Sequence, residues 1–474
     1  MERASQYEPE ARKSEFGRMY ISKIQIGNVR GFDSGPLRVD LDLRRPDGTY
    51  AGWTVLAGRN GSGKSTLLKA VALVIAGPFL AKALQQSFVG WIRKGSEKRA
   101  SASVELVIDA ADRFHSSDKT SLEPLLLEFE WRPQGGGEPR LAVPISPTMQ
   151  AKPGEPITFK GSDSAQLQGP WHDNPLGWFI VGYGPHRRLN GQAIDTQRLS
   201  EGPRPVSRLV SLFREDFALT ESINWLRELH LRRLEGREGA EELLDGVLKL
   251  INNGLLPDQT NVDKVDSDGL WVTQRDVSLP LRDMSDGYRN VVALVMDIAR
   301  QLHATYGEFK LTQQDGKWAV PYSGVVLIDE IELHLHLSWQ RRIGFWFKRH
   351  FPNIQFIVTT HSPFVCQAAD PKGLIRLPAP GEQRAAEHVS DELYKTVVNG
   401  TVDEAALTEL FGLEHVHSDE SERLRERVAQ LEARILEEAA TPEEREELDR
   451  LTAQLPNTGS ALVDRAVRKF GLDK

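Results

Sequence analysis

At 474 residues the chain is long enough for two or three domains, or for one large domain with insertions. Hydrophobic residues make up 40% and charged residues 27%, which fits a globular protein, and no run approaches the roughly 20 apolar residues of a membrane span. A net charge of −8 argues against a protein coated in nucleic acid, and Cys366, the single cysteine, excludes an internal disulfide and a Cys-based zinc site.

The first sixteen residues, "MERASQYEPEARKSEF", carry charge and no apolar signal core, so export is not expected and a reducing, cytoplasmic setting without a membrane partner is. "YISKIQIGNVRGF" (Tyr20 to Phe32) and "LRVDLDL" (Leu37 to Leu43) alternate apolar and polar residues as paired strands do. "GWTVLAG" reads as a buried strand, followed by "RNGSGKST" and a helix from about Lys64 through "AVALVIAG". "ASVELVIDA" and "LLLEFEW" predict two more strands, ahead of a Pro- and Gly-rich insertion from Arg132 to Pro156.

"LGWFIVGYGPHRRL" predicts a strand and a basic loop, and Val206 to Leu250 has helical spacing. "SLPLRDMSDGYRN" leads into a long helix, "GVVLIDE" is a buried strand before a turn and helix, and "IQFIVTTHSPF" is a buried strand ending in a polar loop. In the tail, Leu424, Val428, Leu431 and Ile435 stripe one helix. Thr441, Pro442 and Glu444 start another as a capping box, giving a helical hairpin. That acidic hairpin, twelve acidic against six basic residues from Asp419 to Leu455, is either a solvated appendage or a docking element.

Four constellations carry chemistry. Gly58, Gly61 and Gly63 with Lys64, Ser65 and Thr66 have the spacing of a phosphate-binding loop. Its backbone N–H groups and helix N-terminus attract phosphate, Lys64 reaches the β- and γ-phosphates, and Ser65 binds Mg²⁺. Asp329, at the tip of "VVLID", would hold Mg²⁺, and Glu330 would activate water. Ser285, Asp286 and Gly287 open a helix as a second anion-binding turn. One phosphate does not need two such turns from one protomer, so a dimer is expected in which this turn closes over the partner's γ-phosphate. His361 after its strand reads as a γ-phosphate sensor.

This order resembles the ATP-binding-cassette superfamily, in its non-transporter SMC, RecF and OLD-like branch. "LIDEIELHLHLSWQ", "VTTHSPF" and "VGYGPHRRL" are similar to the compact ATPase subunits of bacterial antiphage systems, Septu and related retron systems. The resemblance spans residues 20 to 380 and implies ATP and Mg²⁺ as cofactors. It implies that Arg59, Asn60, Gly61, Ser62, Gly63, Lys64, Ser65 and Thr66 bind ATP, with Ser65 and Asp329 on the metal. It makes Glu330, His361 and Lys64 the catalytic set, Ser285, Asp286 and Gly287 the signature, and His336 the centre of a loop at the dimer interface. Leu337 stands where that loop more usually carries Pro, and Gln85 and Gln86 are candidates for a magnesium-binding Gln loop.

The expected fold is α/β, an ABC-type head with a mostly parallel core sheet, an N-terminal antiparallel β part, a helical lobe and the C-terminal hairpin. The expected divisions are an extension over 1–19, a first core part over 20–200, the helical lobe over 201–280, a second core part over 281–400 and an appendage over 401–474. Expected partners are a second copy, in a homodimer or larger oligomer, and a separate effector nuclease gated or scaffolded by the ATPase. No Toprim-like acidic cluster or HNH pattern follows His361, so no intrinsic nuclease is expected. The alternative is a RecF- or SMC-like repair ATPase that clamps duplex DNA. For that, Arg187, Arg188, Arg204, Arg208, Arg232 and Arg233 offer a basic path, if they are not simply ion-paired on the lobe.

Overall fold

A computed structural model describes residues 18–45, 47–115, 124–135, 137–143, 165–186, 202–215, 219–257, 259–314 and 316–455. It divides into two compact units, Met1–Ala405 and Ala406–Lys474.

The first unit is built on two sheets. One is antiparallel: β1 (Tyr20–Gly27), β2 (Val39–Asp42), β4 (Ala100–Val107), β5 (Leu125–Arg132) and β6 (Arg140–Ala142), in the order β2-β1-β4-β5-β6. The other contains β3 (Trp53–Ala57), β7 (Ile180–Tyr183), β13 (Gly324–Ile328), β14 (Ile354–Thr360), β15 (Leu374–Arg376) and β16 (Glu387–His388). Its order is β16-β15-β3-β14-β13-β7, and every pairing is parallel except that of the edge strand β16. β3, β13 and β14 are buried at every position, as strands covered on both faces must be. Buried Gln355 of β14 joins the two sheets: its amide accepts from Ile21 N at 2.8 Å and donates to Ile21 O at 3.1 Å.

Helix α1 (Lys64–Leu84) follows β3, with a break at Gly77, whose φ is 82° and against which Trp171 packs. It is the one described helix long and apolar enough to cross a membrane, and most of it is buried inside the molecule. Helices α2 (Arg204–Phe213), α3 (Thr220–Leu234) and α4 (Ala240–Ile251) come next. They are followed by an antiparallel sheet of β8 (Asn261–Asp266), β9 (Gly269–Gln274) and β10 (Val277–Pro280). The last quarter of the segment expected to be a helical lobe, residues 261–280, is therefore a small sheet. A register shift between Val262 and Lys264 breaks the two-residue alternation by which β8 would be recognised.

α5 (Asp286–Tyr306) carries the Ser285 turn at its start. A small hairpin of β11 (Thr312–Gln314) and β12 (Lys317–Ala319) precedes β13, and α6 (Leu337–His350) runs between β13 and β14. Gly344 lets α6 approach the sheet, because a Cβ there would lie 2.5 Å from Ala368 and 2.9 Å from Trp53.

The second unit holds the hairpin of α7 (Asp419–Leu436) and α8 (Pro442–Gln454). Val428 and Leu431 are buried, Arg427 grips Glu447 through two 2.8 Å hydrogen bonds, and Arg434 pairs with Glu444 at 3.0 Å. Thr441 and Glu444 form the capping box read from the sequence.

Candidate nucleotide site

The parallel strands β3, β13 and β14 release their chains at the same end of the sheet, and there the sequence motifs converge. After β3 the loop from Gly58 to Gly63 turns into α1. Gly61 and Gly63 have φ of 79° and 89°, a backbone form that suits glycine. A Cβ on Gly63 would sit 2.7 Å from the Phe32 ring, so the turn after β1 is packed directly on the phosphate loop. That packing gives "NVRGF" a physical role: it holds the loop's shape from outside.

Arg59, Asn60 and Gly61 are exposed, Ser62 and Lys64 are buried, and Ser65 and Thr66 are half-buried. The Lys64 ammonium donates to Gly58 O at 2.8 Å and to Arg59 O at 3.1 Å. Burial pulls it below its usual range, while Asp329, Glu330 and Glu332 pull it back up. The buried Ser62 hydroxyl has no partner among the described residues. Glycine-lined N–H groups, a lysine turned onto its own carbonyls and an unsatisfied hydroxyl make a cradle that suits a phosphate chain.

The end of β13 supplies the carboxylates. Asp329 is 1% exposed, receives Thr359 Oγ1 at 2.6 Å and donates its own N–H to Tyr183 O at 2.8 Å. The Glu330 N–H donates to the same Thr359 hydroxyl at 2.8 Å. Glu330 has φ of 47°, uncommon for a side-chain-bearing residue, so its carboxylate leaves the strand through a strained turn. Glu332, absent from the sequence-derived set, accepts from His361 N, and its other carboxylate oxygen is buried without a partner among the described residues.

His361 is pushed below its usual range, first by desolvation and next by the Lys64 charge, with Glu332, Glu330 and Asp329 opposing. Lys64, Asp329, Glu330, Glu332 and His361 therefore share one electrostatic site. Among the described residues no three His, Cys, Asp or Glu are placed to hold a metal by themselves. Half-buried Ser65 and buried Asp329 carry only oxygen donors, the type that suits a Mg²⁺ sharing its shell with phosphates and water.

Ser285, Asp286 and Gly287 lie at the start of α5, the first two exposed. The Ser285 hydroxyl makes no capping bond, and Asp286 pairs with Arg289. A Cβ on Gly287 would meet His334 O at 2.6 Å and the Trp339 ring at 3.3 Å. The turn is thus seated on the loop after Glu330. His336 caps α6, its ring accepting from Ser338 N at 3.3 Å, and Leu337 beside it is 57% exposed.

Gln85 and Gln86 lie just past the end of α1, and Gln85 donates to Ser87 O at 2.8 Å. The basic path is not assembled among the described residues. Arg208 is buried, donating to Trp178 O at 3.0 Å and to Thr305 Oγ1 at 2.7 Å. Arg204 donates to Pro175 O, Arg232 pairs with Glu228, and Arg233 contacts His230, while Arg187 and Arg188 fall outside the described residues. His334 and His336 are exposed.

A phosphate loop, a carboxylate pair and a histidine on successive ends of one parallel sheet, joined to an antiparallel sheet and the Ser285 turn, form an arrangement that resembles an ABC-type ATPase of the non-transporter, SMC/RecF-like branch. Within that branch the chain resembles the compact ATPases of antiphage systems. Residues 199–367 match the family described as "AAA domain, putative AbiEii toxin, Type IV TA system", and residues 23–137 match "AAA domain". The chain is 27% identical over 346 residues to Septu protein PtuA of Bacillus mycoides (strain KBAB4), covering 73% of this chain and 38% of that protein. It is 44% identical over 105 residues to the retron Ec83 probable ATPase of Escherichia coli, covering 22% and 18%, so it spans well under half the length of these curated relatives. A solved SMC head bound to the C-winged helix domain of ScpA aligns with 78% of this chain and 97% of its own, at 17% identity and a TM-score of 0.43, a likeness too loose to bear on function.

Proposed function

We propose that this chain binds and hydrolyses ATP as a dimeric switch subunit of a bacterial antiphage complex, where it gates or scaffolds a separate effector nuclease. The observation that carries the reading is the meeting of Lys64, Asp329, Glu330, Glu332 and His361 at one end of the sheet, with the Ser285 turn facing outward from the same protomer.

In this reading the phosphate loop binds the triphosphate, and Lys64 exchanges its two carbonyl partners for phosphate oxygens. Mg²⁺, held by Ser65 and Asp329, would supply charge neutralisation between the β- and γ-phosphates. Thr359 fixes both Asp329 and the Glu330 backbone, so Glu330 is held where it can take a proton from water. Neutral His361, located by the Glu332 carboxylate, donates a hydrogen bond toward the γ-phosphate. Ser285 and Gly287 of a second copy close the other side, and their engagement with the γ-phosphate joins or releases the two heads.

The antiphage role and the separate nuclease are supported by the similarity to Septu protein PtuA and the retron ATPases. The test is purification from a host that carries the neighbouring genes. Recovery of a nuclease whose cutting of nucleic acid changes with Glu330→Gln supports the reading. A chain that purifies alone and binds duplex DNA tightly, with steep salt dependence, overturns it in favour of the repair clamp.

A further inference from the structure

A second cavity, of about 500 Å³, lies away from the phosphate loop, and its walls include Asn253, Lys317, Arg342, Phe345, Trp346 and Arg349. Three separate elements build it: the end of α4, the start of β12 and the outer face of α6. Lys317, Arg342 and Arg349 are exposed, and none has an ion-pair partner among the described residues. No acidic residue is among the described residues lining the cavity. Like charges gathered around one concavity repel, and an anion there relieves that repulsion.

The walls are fixed. Trp346 donates its indole N–H to Asn253 O at 3.0 Å, and Asn252, also on the wall, is spent on both polar groups of Val262. The Asn253 side-chain amide makes no hydrogen bond among the described residues. Phe345 is 44% exposed amid these cations, with Lys348 5.3 Å from its ring centre and itself held by Asp370 at 2.8 Å. An exposed ring sharing a cavity wall with guanidinium groups that lack ion-pair partners among the described residues suits a ligand with an aromatic face and a phosphate.

We propose that this cavity binds one nucleotide unit of a single nucleic-acid strand, with phosphate on Lys317, Arg342 and Arg349 and a base against Phe345. A free nucleotide has the same chemistry and is the other source. An acidic peptide would use the cations but has no need of the ring.

The test uses the full chain, fluorescein-labelled oligo(dT) and oligo(U), and anisotropy across a salt series. A fluorescent ATP analogue, titrated onto the Lys64→Ala chain, reports a free nucleotide outside the phosphate loop. Joint Arg342→Glu and Arg349→Glu should weaken strand binding at least tenfold. It should also flatten the slope of log affinity against log salt by about 0.7 for each phosphate that is no longer neutralised. Phe345→Ala should weaken binding severalfold with the slope unchanged. ATP binding by both variants at the phosphate loop confirms that they fold.

If the charge reversal removes analogue binding and spares the strand, the cavity's chemistry stands and its source is the free nucleotide. Three results overturn the proposal. One is unchanged affinity for both probes. Another is an equal loss on Lys395→Glu, an exposed cation on another helix. The third is displacement of the strand by polyglutamate that depends on Arg342 and Arg349 but not on Phe345.

Discussion

The phosphate loop and the Ser285 turn are both anion-binding helix starts, yet the protomer treats them differently. Around the phosphate loop several groups are engaged: Phe32 on Gly63, Lys64 on two carbonyls, and Thr359 on both Asp329 and Glu330. The Ser285 turn is backed by His334 and Trp339 against Gly287 and presents an exposed hydroxyl that caps nothing. In the proposed dimer, the difference would make one half-site the holder of a ligand and the other the one offered to it. Each prediction below strikes one side of that contrast.

The largest effect is expected on the holding side. Glu330→Gln should slow ATP turnover by about 10²-fold or more while leaving ATP binding within a few-fold, measured by phosphate release and nucleotide titration. Next comes the offering side: Ser285→Arg should leave ATP binding intact but hold the solution mass at the 53.1 kDa of one chain when ATP is added, checked by light scattering. Gly287→Ala places a methyl against the His334 backbone, which has little room to yield, and should cost about 1–3 kcal/mol in denaturant unfolding. Equal effects of Ser285→Arg and Lys64→Ala on ATP binding would erase the contrast.

The contrast was half legible in the sequence. The glycine spacing before Lys64, four apolar residues before Asp329 and the strand before His361 are local patterns, and the structure brings them together. Glu332 and Thr359 were missed because their work is non-local: one meets the His361 backbone 29 residues away, the other bridges two carboxylate-bearing positions on a neighbouring strand. Phe32 reaches Gly63 only through the packing of one sheet on another. The Arg208 side chain looked like part of a basic surface because burial of a guanidinium between Trp178 O and Thr305 has no sequence signature. The same limit hid the α4–β12–α6 cavity, whose cations come from distant segments.

A smaller effect sharpens the account of His361. Its folded-state affinity for protons is below the ordinary histidine value, so the unfolded chain binds the proton first as pH falls. The imidazole should be neutral at pH 7, and this residue's contribution to stability should be lost only as pH drops through 6.5. The wild-type turnover profile should therefore be flat between pH 8 and 7, and unfolding should lose less stability between pH 7 and 5.5 in His361→Gln than in wild type. The smallest effect lies outside the head: Thr441→Ala removes the capping box and should cost the hairpin about 1 kcal/mol, seen as reduced helicity on mild heating, with ATP binding unchanged.

The most direct measurement is a crosslink between the two half-sites. Ser285→Cys and Asn60→Cys, each carried on a separate Glu330→Gln chain, are mixed with ATP and Mg²⁺ and oxidised; native Cys366 is buried and inert. The account predicts a disulfide-linked species of twice the chain mass that forms with ATP and not without nucleotide. No linked species with ATP, while the nucleotide is demonstrably bound, would contradict it.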